Sequence, residues 1–402
     1  MGDWGLMGVD WEQRIDYDRL RKERLQKAKD ALASSEADVL FVFRTEDCRY
    51  LTGFRSHLHP TASLGMAACV LAKGGDPYLF SMDNDHAHLR MKWLDEEQIQ
   101  PRANLRDISA VKEWAERVKG LIGDNLDGKT IGVDLWSPAI EERLREAFPK
   151  SKFIDGYEVL MKAKITKTVD EISCLKAATF ITEAAFEDGI DYLRPGVREC
   201  EVLAVMWHRM TALGSEWTQC ANIICSGPYT APYRRLTSDR IIRKGDMVIM
   251  DVGGCFNGYW GDFTRTWVCG DIMPTEEQID LHMKCYNAVW DSCAASKLGN
   301  TTLDVYQAAE PYVLDSLGHG SGTNPWELPY FSPAAYEDPM PLEVGMTYNL
   351  EPYAGKPGIG GFRLENNLVV TEGEPDVYTP YPYDERLVTD VHPLDTTTGR
   401  TR

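Results

Sequence analysis

Two aspartates, Asp251 and Asp262, stand eleven positions apart at the two ends of a predicted β-hairpin. The apolar run 247–250 is typical of a strand buried on both faces, and it ends at Asp251. Turn residues follow it: Gly253, Gly254, Asn257 and Gly258. A carboxylate beside a buried strand is costly unless a cation or several donors meet it. The pair therefore indicates either two turn-capping residues or part of a metal site.

Three further residues extend this pair: His319 in LGHGSG, Glu351 in YNLEPY and Glu365 in GGFRLENNLVV. Each alone has an ordinary structural explanation, as a loop histidine or a strand-end acid. Together with the aspartates they make four carboxylates and one imidazole, a donor set that suits manganese, iron, cobalt or zinc. Four negative charges would balance two divalent cations, and two metals ~3.5–4 Å apart can activate water as a nucleophile.

The elements that must position these residues fall into two predicted domains, 1–165 and 166–402. Strands alternate with helices over the first part, which predicts a self-contained α/β domain. The polar basic stretch KAKITK, 162–167, is the predicted boundary. We expect a short strand from Cys48 that breaks at Gly53, a helix over 302–317, and a last strand over 363–371. The tail from Asp376 is expected to wrap the surface without regular structure.

Composition excludes several classes of protein. The 402 residues carry a net charge of −19, which argues against a nucleic-acid or anionic-membrane partner. The ten cysteines form no CxxC pair, so reduced thiols in a cytoplasmic protein are expected. The N-terminal sequence lacks the pattern of a signal peptide, and no apolar run approaches the ~20 residues of a membrane helix.

The motifs resemble those of a known family. Residues 170–375 resemble the catalytic domain of the creatinase, prolidase and aminopeptidase P superfamily, through KGDMVIMDVGG, GYWGDFTRTW, GHGSG, LEVGMTYNLEPY and FRLENNLVVTEG. RYLTGF in the N-terminal half resembles the family's amino-terminal domain. The resemblance implies an α+β fold: a "pita-bread" catalytic domain preceded by a smaller α/β creatinase-type domain, in a homodimer. It also implies that Asp251 binds one metal, that His319 and Glu351 bind the other, and that Asp262 and Glu365 bridge.

Two departures from the family bear on function. Peptidases of this family carry one histidine in the segment before the hairpin and another seven positions after the metal-binding histidine. Tyr233 and Trp326 occupy those places here. The histidines orient the substrate and move protons, which requires a pKa near the working pH. We therefore expect a retained metal site with altered proton transfer, in which Glu351 or Tyr233 assists.

Substrate-binding candidates are rich in arginine and aromatic residues: Arg55, His57, Tyr233, Arg234, Arg235, Trp326 and Arg363. In the family, the loop that holds Arg55 and His57 can reach the neighbouring subunit's site. A guanidinium suits a carboxylate, and an aromatic face suits a cationic group. The resulting prediction is a hydrolase for a C–N bond in a small carboxylate-bearing or zwitterionic substrate. Three alternatives remain: an Xaa-Pro dipeptidase or aminopeptidase, a metal-dependent lyase resembling dimethylsulfoniopropionate lyase, and an inactive binding protein.

Overall fold

The computed structural model describes residues 15–56, 67–82, 84–135, 137–218, 222–233, 235–312 and 316–398. These residues form two compact units: one spans 16–164, and the other contains Ile15 and the described residues from Ile165 onward.

The N-terminal unit is built on a six-stranded mixed sheet of order β4-β3-β2-β1-β5-β6. Its strands are β1 (Val39–Val42), β2 (Ala67–Ala72), β3 (Tyr78–Ser81), β4 (Ile99–Pro101), β5 (Thr130–Val133) and β6 (Lys152–Asp155). Its helices are α1 (Tyr17–Ser34), α2 (Thr45–Thr52), α3 (Asn84–Arg90), α4 (Ile108–Ile122), α5 (Pro138–Ala147) and α6 (Tyr157–Lys164). Alternate residues of β1 enter two separate hydrophobic cores, so helices cover both faces of the sheet.

The strand predicted from Cys48 is wrong, since this segment is helix α2. Tyr50 and Thr52 favour strands by type, and their burial here on a helix overrides that preference. Glu46 and Asp47 lie in the first turn, where they complement the helix dipole. Gly53 ends the helix at φ 76°, a left-handed conformation that glycine adopts without strain.

The C-terminal unit contains two antiparallel sheets, each covered by a pair of helices. The first sheet has the strand order β11-β8-β7, and helices α7 and α8 pack on it. The second sheet has the strand order β13-β12-β14-β17-β18, and helices α9 and α10 pack on it. The helices are α7 (Val169–Tyr192), α8 (Glu199–Ala212), α9 (Glu276–Ala295) and α10 (Thr302–Ala309). Thr168, Thr275 and Thr301 cap the N-termini of α7, α9 and α10 with reciprocal side-chain and backbone bonds.

The strands of this unit, including those of the two sheets, are all short. They are β7 (Asn222–Ser226), β8 (Met247–Val252), β9 (Cys255–Phe256), β10 (Tyr259–Trp260), β11 (Phe263–Val268), β12 (Gly318–Gly320), β13 (Glu327–Phe331), β14 (Thr347–Leu350), β15 (Tyr353–Lys356), β16 (Gly360–Arg363), β17 (Asn366–Val369) and β18 (Asp376–Val377). The single strand predicted over 363–371 is thus divided, because Leu364 and Glu365 separate β16 from β17. The helix predicted over 302–317 is shorter, and a 3₁₀ turn containing Pro311 follows α10.

A seam of hydrogen bonds joins β11 of the first sheet to the β16–β17 segment. The Glu365 N–H donates to the Thr264 carbonyl (3.1 Å), and the Arg363 N–H donates to Thr266 Oγ1 (3.0 Å). Asn367 Nδ2 donates to the Asp262 carbonyl (2.6 Å). This seam brings the end of the hairpin next to Glu365, 103 positions later in the chain than Asp262.

Candidate metal centre

The β8–β11 hairpin holds Asp251 and Asp262 at one end of the first sheet. Asp251 lies in β8 opposite Thr264, and Asp262 immediately precedes β11. Asn257 and Gly258 turn the inner β9–β10 ribbon with positive φ values of 50° and 81°, as the favoured two-residue hairpin turn requires. Gly261 lies so close to the backbone of α7 that a Cβ would stand 2.6 Å from the Ala178 carbonyl carbon. The chain must therefore have glycine before Asp262.

Glu365 meets both aspartates. One carboxylate oxygen from each of Asp251, Asp262 and Glu365 lies within 4.8 Å of the other two. Glu365 is fully buried, and its Oε2 accepts a bond from Thr264 Oγ1 at 2.9 Å. Its other oxygen, Oε1, is buried and has no hydrogen-bond partner among the residues that the structure describes. Buried acceptors are rarely left unsatisfied, so this oxygen marks a place where a cation fits.

His319 and Glu351 come from the second sheet. His319 lies in β12 between β13 and β14, and Glu351 follows β14. Because a Cβ at Gly318 or Gly320 would overlap a neighbouring strand's carbonyl, the histidine must be framed by glycines. His319 Nδ1 lies 3.1 Å from the Gly320 carbonyl, a contact in which the nitrogen donates. Nε2 then presents its lone pair toward the acids, 3.5 Å from Glu351 Oε1 and 3.9 Å from Asp262 Oδ2.

The electrostatics of this cluster call for added positive charge. Burial, followed by the charges of Asp262, Glu351 and Asp251, holds the pKa of Glu365 well above its usual value. Burial, with repulsion from Glu351, also raises the pKa of Asp251 although Arg363 opposes the rise. Arg363 is the cation here: it pairs with Glu351 and lies 3.7 Å from Asp251 Oδ2. One guanidinium cannot balance four carboxylates, so the oxygen-rich set with one imidazole fits divalent metal ions.

Tyr233 lies directly against this cluster. Its hydroxyl donates to Asp251 Oδ2, and its ring stacks on Tyr353 with centroids 5.5 Å apart. The Arg363 guanidinium lies 5.0 Å from the centre of the Tyr233 ring. Burial and the nearby Asp251 charge hold the pKa of the Tyr233 phenol well above its usual value. The hydroxyl therefore stays protonated and acts as a donor.

A cavity of about 520 Å³ opens above the acids. Its lining consists of Ile223, Tyr233, Arg235, Leu236, Asp251, Asp262, Ser316, His319, Trp326, Tyr330, Glu351 and Arg363. Asp251, Asp262, Glu351 and His319 belong to this lining, and the fully buried Glu365 lies against Asp251 and Asp262 without lining the cavity itself. We call these five residues the floor. Aromatic and aliphatic side chains complete the lining. One of them, Trp326, packs edge-on against His319 with ring centroids 6.0 Å apart. The volume suits a small molecule.

The structure distributes the predicted substrate-binding residues unevenly. Tyr233, Trp326 and Arg363 line the cavity. Arg55 is exposed in the N-terminal unit, shortly after α2, and its proposed role stays a prediction. His57 and Arg234 lie outside the described residues. Arg235, which the sequence also offers as a substrate-binding candidate, lines the cavity as well. Leu236 lines it too and was not predicted, although its position close to Tyr233 was the available signal.

Two family models match the chain. The model of the creatinase/prolidase N-terminal domain matches residues 24–163, and the model of metallopeptidase family M24 matches residues 173–372. The chain belongs to the creatinase, prolidase and aminopeptidase P superfamily. The predicted fold class, an α+β pita-bread domain preceded by a smaller α/β domain, is thereby confirmed. The predicted enzyme class, a metal-dependent hydrolase, is confirmed as well.

Individual relatives match over most of their length. An Xaa-Pro dipeptidase from Pyrococcus furiosus is 29% identical over 363 residues, which cover 87% of this chain and 96% of the relative. A putative dipeptidase from Bacillus subtilis, YkvY, is 26% identical and covers 90% and 98%. Among solved structures, an Xaa-Pro dipeptidase from Bacillus anthracis superposes with a TM-score of 0.77 at 24% identity, covering 90% of this chain and 99% of that one. The prolidase from Pyrococcus furiosus gives 0.72 at 25% identity, with 87% and 98% covered.

Two features of this superfamily member limit its chemistry. His319 is the one imidazole among the described residues that line the cavity. Tyr233 and Trp326, which stand where the family's peptidases are expected to carry histidines, are both cavity residues.

No helix within the described ranges combines the length and the apolarity that crossing a lipid bilayer requires.

Proposed function

We propose that this protein is a dinuclear-metal hydrolase that cleaves a C–N bond in a small carboxylate-bearing or zwitterionic substrate. The observation that carries the proposal is the composition of one cavity. Five potential ligands meet at its floor, while Tyr233 and Trp326 fill the positions expected for proton-transferring histidines. The metal chemistry is thus retained while the groups that handle the substrate differ.

The five ligands divide between two metal ions of the manganese, iron, cobalt or zinc type. In this proposal Asp251 binds one ion, His319 and Glu351 bind the other, and Asp262 and Glu365 are shared. When bound, such a pair supplies a water nucleophile at neutral pH and polarises the bond under attack. The chain contributes the ligand positions, because the seam between the sheets fixes Asp262 and Glu365 through their backbones.

Proton handling falls to Tyr233 and Glu351. A phenol that stays protonated can donate a hydrogen bond to negative charge that develops on the substrate. Glu351 is the least buried of the four acids, with 9% exposure, and lies at the cavity surface. It is therefore the carboxylate placed to accept the proton that the attacking water loses and to pass that proton to the leaving nitrogen.

Charged and aromatic side chains of the cavity would recognise the two ends of a zwitterion. Arg235 is fixed by Glu199, a fully buried carboxylate that accepts from its Nη2 at 2.6 Å. With Arg363 it provides guanidinium groups for a substrate carboxylate. Trp326 and Tyr330 expose about half of their surface, 51% and 46%, and so offer faces to an apolar or cationic group.

An Xaa-Pro dipeptide is the second candidate substrate, and the relatives favour it. The chain is similar to an Xaa-Pro dipeptidase over 87% of its own length. Such a substrate has a carboxylate, a C–N bond and a cationic amino group, which the cavity could hold in the same order. The two candidates differ in the leaving group, a proline nitrogen in one and a non-peptide amide or amidine nitrogen in the other.

A substrate panel on metal-loaded protein tests the proposal. The panel should hold Xaa-Pro dipeptides, dipeptides without proline, small N-acyl amino acids and amidines, and a sulfonium propionate, with Glu365→Gln as the inactive control. Turnover of acyl amino acids or amidines above the dipeptides supports the main proposal, and proline-dependent turnover replaces it with the dipeptidase. Release of a volatile sulfide would indicate a lyase. Absence of both turnover and bound metal would indicate a binding protein.

The homodimer remains part of this proposal, with Arg55 and His57 of one chain reaching the site of the other. Sedimentation equilibrium measures the oligomeric state. In a dimer of this kind, mixing Arg55→Ala protein with Glu365→Gln protein should restore part of the lost activity, since heterodimers would contain one intact site. No restoration in a proven heterodimer would remove Arg55 from the site.

A further inference from the structure

Segment 378–383 of the C-terminal tail buries three of its six residues, although the sequence indicated a surface wrap. Tyr378, Thr379 and Tyr383 are 5%, 1% and 1% exposed. The segment follows β18 and lies beyond residue 372, where the match to the metallopeptidase model ends. This chain therefore packs a segment from outside the matched region against its catalytic sheets.

Arg265 connects this tail segment to the metal centre. It lies in β11, is 1% exposed, and is held between the rings of Phe263 and Tyr383, with its Cζ 4.3 Å and 4.1 Å from their centres. Its Nη1 donates to the backbone carbonyl of Glu365, and its Nη2 donates to the backbone carbonyl of Tyr381 at 3.0 Å. One guanidinium thus ties the backbone of a predicted bridging ligand to the tail.

Asn366 and Asn367 make the same connection from β17. Tyr383 Oη donates to Asn366 Oδ1 at 3.0 Å, next to Glu365 in the chain. Thr379 Oγ1 accepts from the Asn367 N–H at 3.2 Å, and Asn367 Nδ2 donates to the Asp262 carbonyl at 2.6 Å. Both acids that are proposed to be shared between the metals are therefore bonded to residues that the tail contacts: Glu365 to Arg265, and Asp262 to Asn367.

The remaining ligands are held by other parts of the structure. Asp251 accepts from Tyr233, His319 faces the Gly320 carbonyl, and Glu351 pairs with Arg363. The tail contacts described above therefore lead to the backbones of Asp262 and Glu365, and none of residues 378–383 is among the described residues that line the cavity.

We propose that segment 378–383 positions Asp262 and Glu365 for metal binding, with Arg265 as the positioning residue that transmits its effect. The inference rests on the proposed function only in requiring that these two acids bind metal. A bridging carboxylate must place two oxygens correctly at once, so its backbone must be held firmly. Outer contacts of this kind typically change metal affinity by roughly 10–100-fold when they are lost.

Paired tyrosine variants test the proposal. Tyr383→Phe removes the hydroxyl that bonds Asn366, and Thr379→Val removes the oxygen that accepts from Asn367. Tyr286→Phe is the matched control, because Tyr286 is equally buried and its hydroxyl donates to Asp395 Oδ2 (2.6 Å), further along the tail. Arg265→Lys keeps the charge but loses the forked contact to two carbonyls.

Calorimetric titration with Mn²⁺ gives the affinity, and urea unfolding in chelator gives the stability. We expect Tyr383→Phe and Thr379→Val to weaken Mn²⁺ binding by about 10-fold and Arg265→Lys by up to about 100-fold. When Mn²⁺ is limiting, these three variants should have a lower kcat than the wild type and an unchanged KM for the substrate. Tyr286→Phe should bind Mn²⁺ like the wild type while losing as much stability as Tyr383→Phe.

Three results would overturn the positioning role. Wild-type Mn²⁺ affinity in both Tyr383→Phe and Thr379→Val is the first, and equal loss of affinity in Tyr286→Phe is the second, since it would indicate general destabilisation. The Tyr383→Phe and Thr379→Val results decide the matter if Arg265→Lys does not fold. A wild-type protein that binds no Mn²⁺ at all would overturn the metal centre itself, and the tail proposal with it.

Discussion

The floor and the rim of the catalytic cavity differ in how they are built. The floor consists of Asp251, Asp262, His319, Glu351 and Glu365, all at most 9% exposed, at the ends of paired strands or between them. The rim includes Leu236 and Trp326, which are 75% and 51% exposed and lie outside the strands. The floor is fixed by strand register and by the seam between two sheets, whereas the rim depends mainly on loops.

This difference explains why one part matches the family's pattern and the other departs from it. A one-residue slip of a strand would turn every side chain to the opposite face, so floor residues are constrained by the fold as a whole. Loops tolerate substitution because few backbone hydrogen bonds depend on them. A protein of this fold can thus acquire a new substrate at the rim while the metal chemistry stays the same.

The largest effect should come from the floor. Glu365→Gln keeps the shape but removes a charge, and we expect activity to fall by about 10³-fold or more, because metal stabilisation of a transition state is worth several kcal/mol. In chelator the same variant should be at least as stable as the wild type, since it removes a buried acid that its neighbours repel. Metal analysis and urea unfolding measure both. Near-normal activity would mean that the floor is not the reactive centre.

The pH dependence of the free energy of unfolding should show the next largest difference between the floor and the rim. The pKa of Glu365 in the folded chain is raised from 4.5, so the native state binds more protons than the unfolded state above that pH. The protonated Glu365 therefore contributes its full stability to the folded state below pH 4.5, and this stability is lost as the pH rises. The loss raises the unfolding equilibrium constant by up to about tenfold per pH unit. In chelator, Glu365→Gln should therefore show a shallower decline between pH 5 and pH 7 (roughly a single-proton difference).

Trp326→Ala is the rim control for this measurement and should retain the wild-type slope. Identical slopes for wild type and Glu365→Gln would show that the acids of the floor do not repel one another in the folded chain.

Tyr233 stands at the junction of floor and rim. Tyr233→Phe should lower kcat by roughly 10–100-fold with a small change in KM, because the lost hydroxyl orients Asp251, a proposed metal ligand. Tyr353→Phe is the matched control: its ring stacks on Tyr233, but its hydroxyl donates to the Thr230 carbonyl instead (2.7 Å). Equal losses in the two variants would reduce Tyr233 to a packing residue.

The smallest effect should come from the rim. Trp326→Ala should raise KM by about 10-fold with kcat nearly unchanged, as expected when a contact of ~1–2 kcal/mol is made equally in the ground and transition states. Tyr336, which is comparably exposed but bonds Glu310, provides the control variant Tyr336→Ala. A loss confined to kcat would assign Trp326 to the chemistry and weaken the distinction between floor and rim.

Local sequence was sufficient for some elements and misleading for others. The apolar run before Asp251 and the Asn-Gly turn specify the hairpin by themselves, because both signals act within a few residues. The segment around Tyr50 has strand-like residue types yet forms a helix, since its burial decides the matter. The tail segment 378–383 looks like a surface segment, but Tyr378 and Tyr383 are buried. The Tyr383 ring lies against Arg265, 118 positions earlier in the chain.

The sequence by itself determined the types and order of the residues at the floor, because carboxylates and an imidazole carry their chemistry wherever they are placed. It also determined that Tyr233 and Trp326 stand where histidines were expected. Only the tertiary structure decided that six of these seven residues line one cavity while Glu365 lies against two of them. It also added Leu236, which no sequence pattern had singled out. The contacts responsible join residues about 100 positions apart across two sheets, and such contacts leave no periodic signal in the chain.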